Sequence, residues 1–566
     1  MTDKLSALEH IKADSRYLRG TIAEGLADPL TGAISDPDTK LLKFHGSYMQ
    51  DNRDIRDERR KQKLEPDYQF MVRLRLPGGV LTAPQWLAMD ELAERYAERG
   101  LRITTRQTFQ FHGIRKEHLR DMIHGINDCG LSTRAACGDD TRNVITSVNP
   151  EISSVYDEVF GWALKLKDHV ATQTSAYEEL WLNDGPADPD AWKKDAEPLY
   201  GKAYLNRKYK FGFAIPPNND IDVFNQDFGL IAIIEDGKLA GFNIAPGGSM
   251  GTTAGDPSTY PSLGDLIGFV TPDQLLETCW QSIVVQGTFG DRGDRKHARL
   301  KYTIDRNGGL PWYRDQLQSR LSFKLAPPRP YHFTHNGDRF GWVQGEHGKW
   351  HLTLSIQSGR LLDDATQKRR TGMREIARIH KGNFRLTCDQ NVVIAGVDEA
   401  DKAAIDALAA QYQLDEYKTA SGIRKHAISC VALPTCGLAM AESERYLPTI
   451  LTKMEVLLAK YDLLQEDIHF RMSGCPNGCS RPYISEIALV GRAIGRYDLR
   501  LGGDHAGERL NAVYLENTDE EHILTALDEL FGRFAAEREP GEHFGDFIAR
   551  VGVVVPPARR PALEYA

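Results

Sequence analysis

The sequence predicts an α+β fold built twice, with mixed and antiparallel sheets in two pseudo-symmetric halves and a shared site at their junction. Two observations predict it. Strand-, helix- and strand-forming stretches run in the order FMVRLRLPGGVLT, WLAMDELAERYAERG and LRITTRQTFQFHGI, and the layout returns near residue 350 as WHLTLSIQSGRLL, MREIARIHKG and NFRLTCDQNVVIAGV. Arg102, Thr104, Gln107 and Gly113 match Arg385, Thr387, Gln390 and Gly396 at one constant offset. A second echo joins IPPNND followed by DFGLIAII to GCPNGC followed by SEIALVG, which gives the order A, B, A′, B′ of an internal duplication.

Taken in order, residues 1–65 mix short helical patterns with turn signals. They end in the charge run DNRDIRDERRKQKLEPD, which reads as a solvated helix face or extended arm. The strand-like stretches that follow carry cations in alternation. Alternate residues of a strand share a face, so LRITTRQTFQFH, read as one strand, puts Arg102, Thr104, Arg106, Thr108, Gln110 and His112 on one side. The same rule pairs Arg73 with Arg75, and Lys208 with Lys210. Arg142 precedes another strand-like run, and DRGDRKHARLKY adds Arg292, Arg295, Lys296, Arg299 and Lys301. Like charges sharing a face repel unless they are solvated or matched by an anion, so an anion site is expected.

Composition narrows the class. A chain of 566 residues exceeds one hydrophobic core, and 41% hydrophobic with 26% charged residues describes an ordinary globular protein. The start lacks the layout of a signal peptide, and no run of about 18 apolar residues could span a bilayer, so the expected location is the cytoplasm. A net charge of −9 argues against nucleic acid as a partner. No G-x-G-x-x-G fingerprint or Walker loop offers a nucleotide or flavin site.

Of eight cysteines, Cys129, Cys137, Cys279 and Cys388 stand singly and read as small buried hydrophobes. Cys430 and Cys436, with five residues between them, and Cys475 and Cys479, with three, form two close pairs. Four thiolates supply the ligand set of a [4Fe–4S] centre, and Gly474, Pro476 and Gly478 let backbone N–H groups approach the sulfurs. Zinc and unligated core cysteines are the alternatives, though this spacing is less typical of zinc knuckles.

The motifs CVALPTC with GLAMAESERYLP, and SGCPNGCSRP with ISEIALVGRAIGRYDLRLGG, resemble the two cluster motifs of the sulfite and nitrite reductases. LRITTRQTFQFHGI, NRKYKFGFAIPPNNDID and GDRKHARLKY resemble further signatures of that family, and YLRGTIAEGL and FHGSYMQDNRDIRDERRKQKLEP those of its NADPH-linked branch. The likeness runs nearly end to end. It implies a sirohaem and a [4Fe–4S] cluster at the junction of the halves, with Cys430, Cys436, Cys475 and Cys479 as cluster ligands and Cys479 shared with the sirohaem iron. It places Arg73, Arg142, Lys208 and Lys210 around substrate, and Arg102, Thr104, Arg106, Gln110, His112 and Asn477 against the sirohaem. The implied activity is six-electron reduction of sulfite to sulfide, with nitrite reduction to ammonia as the alternative. Electrons would come from a flavoprotein carrying FMN and FAD, or else from ferredoxin.

The implied organisation is an N-terminal arm and partner-docking region over 1–65, a ferredoxin-like half domain over 66–140, a sirohaem and substrate domain over 141–340, a second half domain over 341–420, and a cluster and sirohaem domain over 421–566. Two positions depart from the family pattern: Gly437 stands where proline is expected, and Gly138 where a polar residue is expected.

Overall fold

The alternating apolar stretches become strands of four five-stranded sheets in a computed structural model, which describes residues 5–148, 154–183, 190–560 and 563. One sheet runs Ser47–Asp51, Tyr68–Arg73, Phe109–Ile114, Leu101–Ile103, Arg360–Leu361; its counterpart runs Gly341–Gln344, Trp350–Leu354, Val392–Val397, Asn383–Leu386, Val80–Thr82. Each of the two is completed by a short strand from the other half. Arg360 pairs with Arg102, and Val80–Thr82 pairs with Asn383–Arg385, both antiparallel. The strand, helix, strand units are therefore interlocked.

The stretch LRITTRQTFQFHGI is a hairpin and not the single strand expected from its alternation. Gln107 adopts a positive φ of 51°, and Thr104 and Thr108 close the turn through a backbone bond of 2.9 Å. The second copy turns at the matching place, with Gln390 at φ 71° and Thr387 N–H donating to Asn391 O at 3.0 Å. Arg106 consequently sits in the turn, while Arg102 and Gln110 face each other across it.

The helix Ala83–Tyr96 starts at a capping box between Thr82 and Gln85, which satisfies two backbone donors that a helix start leaves open. It buries Trp86, whose ring lies 5.3 Å from Phe109 of its own half and 4.6 Å from Phe384 of the other. It packs beside Arg369–Ile379, and Asp90 accepts from Arg374 and forms an ion pair at 2.9 Å with Arg370 of that helix. Asp90 and Arg370 are each 4% exposed.

The other two sheets repeat a different pattern. Ile145–Thr146, Phe211–Ala214 and Phe228–Glu235 are parallel, then Lys238–Pro246 and Gly268–Val270 return antiparallel. Ala427–Ser429, Phe470–Ser473 and Ile487–Ala493 are likewise parallel, followed by antiparallel Arg496–Leu501 and Ala512–Thr518. An apolar cluster that includes Ile145, Phe224, Cys388, Tyr483 and Val490 draws on both copies and seals their junction. Among the described residues no helix is long and apolar enough to cross a membrane.

Removing one partner of a buried ion pair strands the other charge. Asp90→Ala is expected to destabilise the protein by about 3 kcal/mol, read as a lowered midpoint in denaturant unfolding; an unchanged midpoint would contradict this account of the interlocked helices.

Candidate functional site

The cysteines lie beyond the carboxyl ends of two adjacent parallel strands, Cys430 after Ala427–Ser429 and Cys475 after Phe470–Ser473. The two cysteine segments are stitched together: Met440 and Ala441 N–H both donate to Gly474 O, at 2.8 and 3.0 Å. Gly474 N–H points at Cys430 Sγ at 3.2 Å, and Asn477 Nδ2 at Cys475 Sγ at 3.5 Å. Gly474 has no room for a side chain, because a Cβ there would meet Ala432 Cβ at 2.5 Å and Ala441 O at 2.6 Å. Cys479 and Asn477 are exposed side by side, and Thr105 Oγ1 holds Cys479 O at 3.1 Å.

Four sulfurs at one place destabilise each other's charge. Burial, then the neighbouring Cys479, pushes the Cys430 thiol up to about 12 and Cys475 up to about 11, and raises Cys436 by the same causes. A cationic iron cluster would relieve both the burial and the mutual repulsion, since ligation replaces the proton. Spacing separates the two metal readings. Tetrahedral zinc with four thiolates needs sulfurs about 3.8 Å apart, from Zn–S of about 2.3 Å. No three of these sulfurs fall within 4.8 Å of one another, a looser set than a single tetrahedral zinc ion draws together.

The charge run is more than a solvated face. The helix Arg56–Lys61 within it buries nothing, but Arg53 donates to Cys436 O at 3.0 Å and Ala439 O at 2.6 Å, and Asp54 pairs with Arg445 at 2.7 Å. The arm thus fastens the first cysteine segment. Glu444 fastens the same segment from below. It accepts from Arg102 at 2.7 Å and Arg360 at 2.6 Å, residues directly paired across the exchanged strand. Burial opposes its charge, but Arg360 and Arg102 hold the carboxyl down at about 2.

A row of side chains leads from there into a cationic pocket. Arg102, Gln110 and Arg73 sit opposite one another on three neighbouring strands. Arg73 donates to Cys137 Sγ at 3.3 Å, and Tyr48 lies beside the same thiol, its hydroxyl pushed up to about 12 by burial and by Cys137. Cys137 is therefore buried as expected and also lines the pocket, a role its isolation in the sequence did not signal. Of the other single cysteines Cys279 and Cys388 are buried, while Cys129 is half-buried and bonded to Ile126 O. Arg142 is fixed by Gly138 O at 3.0 and 2.8 Å and Ala136 O at 3.3 Å. Gly138 holds φ at 95°, and a Cβ there would strike the Phe44 ring at 2.8 Å. That conformation, which presents its carbonyl to Arg142, accounts for glycine in place of a polar residue. At Gly437 a Cβ would meet nothing, so no close contact demands glycine there.

Lys208 and Lys210 flank Tyr209, whose N–H donates to Asp140 O at 2.8 Å. Burial, then Arg299, Arg207 and Arg142, lowers the Lys208 ammonium well below the ordinary lysine range; burial, then Lys208 and Arg299, does the same to Lys210. Arg299 is itself matched by Asp227 at 2.9 Å. Arg106 spends Nη1 on Gln226 at 2.6 Å and Nη2 on Asn143 O, leaving buried Nε without a partner. Thr104 Oγ1 accepts from Arg106 N–H at 3.2 Å. His112 is buried with both ring nitrogens unpartnered, and burial, then Arg360 and Arg102, keeps it neutral. Unsatisfied buried donors beside surplus cations are costly unless an anion completes them. A macrocycle rich in carboxylates and a small oxyanion both suit this lining.

The profile described as "Nitrite/Sulfite reductase ferredoxin-like half domain" matches residues 61–129 and 343–412, and "Nitrite and sulphite reductase 4Fe-4S domain" matches 161–325. The latter span is the cation-bearing copy, while the four close-paired cysteines lie in the other. A Myxococcus xanthus protein named "Sulfite reductase [NADPH] hemoprotein beta-component" is 54% identical over 98% of both chains, and one of the same name from Shouchella clausii is 53% identical over 97% of this chain and 96% of its own. The solved structure of the Mycobacterium tuberculosis NirA protein shares the fold, with a TM-score of 0.78, 22% identity and 96% coverage of each chain.

Arg53→Ala removes two caps from the Cys436 segment. Its cluster is expected to lose absorbance in air several-fold faster than wild type while the protein stays folded; equal bleaching rates would contradict a fastening role for the arm.

Proposed function

This chain belongs to the nitrite and sulfite reductase family, and from that premise we propose which side chains perform its reaction. The activity is that of an oxidoreductase of the NADPH-dependent type, the six-electron reduction of sulfite to sulfide in sulfur assimilation, with sirohaem and a [4Fe–4S] cluster as cofactors. The names of the relatives favour sulfite over nitrite as substrate. When bound, the two cofactors would supply single electrons to a multi-electron reduction.

Cys430, Cys436, Cys475 and Cys479 would hold the cluster, and Cys479, exposed, would also serve the sirohaem. Arg106, Gln110, His112, Thr104 and Asn477 line the macrocycle. Arg102 reaches it by Nη1 toward Gln110, its other nitrogens being taken by Glu444 and Ser429 O. The observation that carries the reading is the grouping of Arg73, Arg142, Lys208 and Lys210: Arg73 and Arg142 both lie beside Tyr48, Arg142 repels Lys208, and Lys208 repels Lys210. Guanidinium groups keep their protons at any working pH, so Arg73 and Arg142 clamp the sulfite oxygens. Lys208 and Lys210 hold labile protons at Nζ and deliver them as each oxygen leaves as water. Their lowered affinity for the proton suits them to that role.

The relatives are named beta-components, which implies a second component. We take it to be a flavoprotein carrying FMN and FAD that draws on NADPH, with ferredoxin as the alternative donor, both acting in the cytoplasm. The exposed helix Arg56–Lys61 is its candidate docking face.

With reduced methyl viologen as donor, Lys210→Met is expected to lower kcat/KM for sulfite by at least about a hundredfold, the scale for one lost transition-state donor, with sirohaem bands intact. Cys479→Ser should lose both bands and sulfide. The pH dependence has a definite sign. A lysine with depressed affinity is charged only below that lowered value, so kcat/KM falls as pH rises through it; Lys210→Arg should move the fall to higher pH. An unchanged profile would remove the lysines from the mechanism.

A further inference from the structure

A second group of metal-ligating side chains lies apart from the iron centre. His469 precedes strand Phe470–Ser473, Glu486 precedes Ile487–Ala493, and His505 follows Arg496–Leu501. One ligand atom from each lies within 4.8 Å of the other two. Nothing in their spacing, 17 and 19 residues apart, signals a motif.

Glu486 is fully buried and rigidly held. Its Oε2 accepts from His469 N–H at 2.8 Å, and its Oε1 from Gly545 N–H at 2.9 Å, in the first turn of helix Phe544–Arg550. The two imidazoles do not complete it. His505 Nδ1 faces Glu486 Oε2 as an ion pair at 3.6 Å, too long for a hydrogen bond, and has no hydrogen-bond partner. His469 is 4% exposed, and its Nε2 is also unpartnered. A buried carboxylate and two buried imidazole nitrogens converging without mutual hydrogen bonds pay a desolvation cost. A cation accepting their lone pairs removes it.

We propose that His469, Glu486 and His505 bind a divalent first-row transition ion. Two imidazoles and one carboxylate form a ligand set that suits zinc, whose fourth position is filled by water or a further side chain. The His543 ring stacks on His505 at 3.7 Å and is partly exposed, beside a surface hollow lined by Glu466, Arg538, Glu539 and Glu542. The ion enters from that side. Its carboxylate ligand is already bonded to the backbone of both flanking elements, the second-shell support that metal ligands require. Bound there, it clamps helix Phe544–Arg550 to the strand that runs directly into Cys475, and so stabilises the cysteine loop without touching substrate.

The test uses holoenzyme dialysed against EDTA with its iron count unchanged, then titrated with Zn²⁺ alone. Zinc is counted by elemental mass spectrometry, and thermal unfolding is recorded alongside. One tightly held zinc per chain and a raised Tm are expected, because a ligand that binds only the folded state stabilises it. His505→Gln and His469→Phe, each checked by its sirohaem and cluster spectra, should lose both effects. Wild type that binds no zinc, or binds the same amount as both variants, would overturn the proposal.

Discussion

One buried carboxylate ties together all four repeat units. Asp222, 1% exposed, accepts from Arg471 at 2.7 Å, from Arg481, and from Asn336 at 2.6 Å. Arg481 in turn donates to Thr105 O, Cys388 O and Asp389 Oδ1, each at 3.1 Å. Thr105 and Cys388 belong to the matching hairpin turns of the two half domains, Asp222 to the loop of the first sirohaem-type repeat, and Arg481 to the equivalent loop of the second. Burial alone would drive Asp222 toward its neutral form, yet Arg471 and Arg481 hold it down at about 2. Arg481 comes two residues after Cys479, so the junction of the four units is also the anchor of the exposed thiol.

Around that anchor the duplicated copies divide the work. The first B-type copy provides Lys208 and Lys210, with Arg142 beside its opening strand; the second provides the sulfurs. The A-type copies, interlocked through Val80–Thr82 and Arg360–Leu361, supply Arg73 and the hairpin row that leads to it. Neither copy has a complete site. Glu444, held by an arginine from each A-type copy, carries the same dependence to the first cysteine pair. Substrate cations and cluster ligands thus keep their relative positions only when both halves are in place.

Much of this was legible because chemistry concentrates in short motifs. Paired cysteines with glycine and proline between them signal a cluster, and alternating cations signal an anion site. What escaped has physical reasons. The hairpin turns at Gln107 and Gln390 use positive φ at glutamine, which no turn propensity predicts. The exchanged strands are two and three residues long, too short for any periodicity. Arg53 lay inside a run whose composition spoke only of solvation, although two of its bonds cross to residues 436 and 439. Asp222 and Glu444 act on partners from 84 to 342 residues distant, so their role appears only when the chain is folded. The repeat itself was visible, since Gln107 with Gln390 and Gly113 with Gly396 hold a positive φ in both copies, a conformation few side chains accept.

The most direct test of this account is the optical spectrum and iron content of Asp222→Asn, purified beside wild type and matched to it by far-ultraviolet circular dichroism. Loss of the carboxylate charge should free Arg481 and slacken the Cys479 loop, so the variant is expected to carry substantially less sirohaem and fewer than four cluster irons. Full loading of both cofactors with wild-type sulfide production would contradict the claim that the Asp222–Arg481 junction holds the site together.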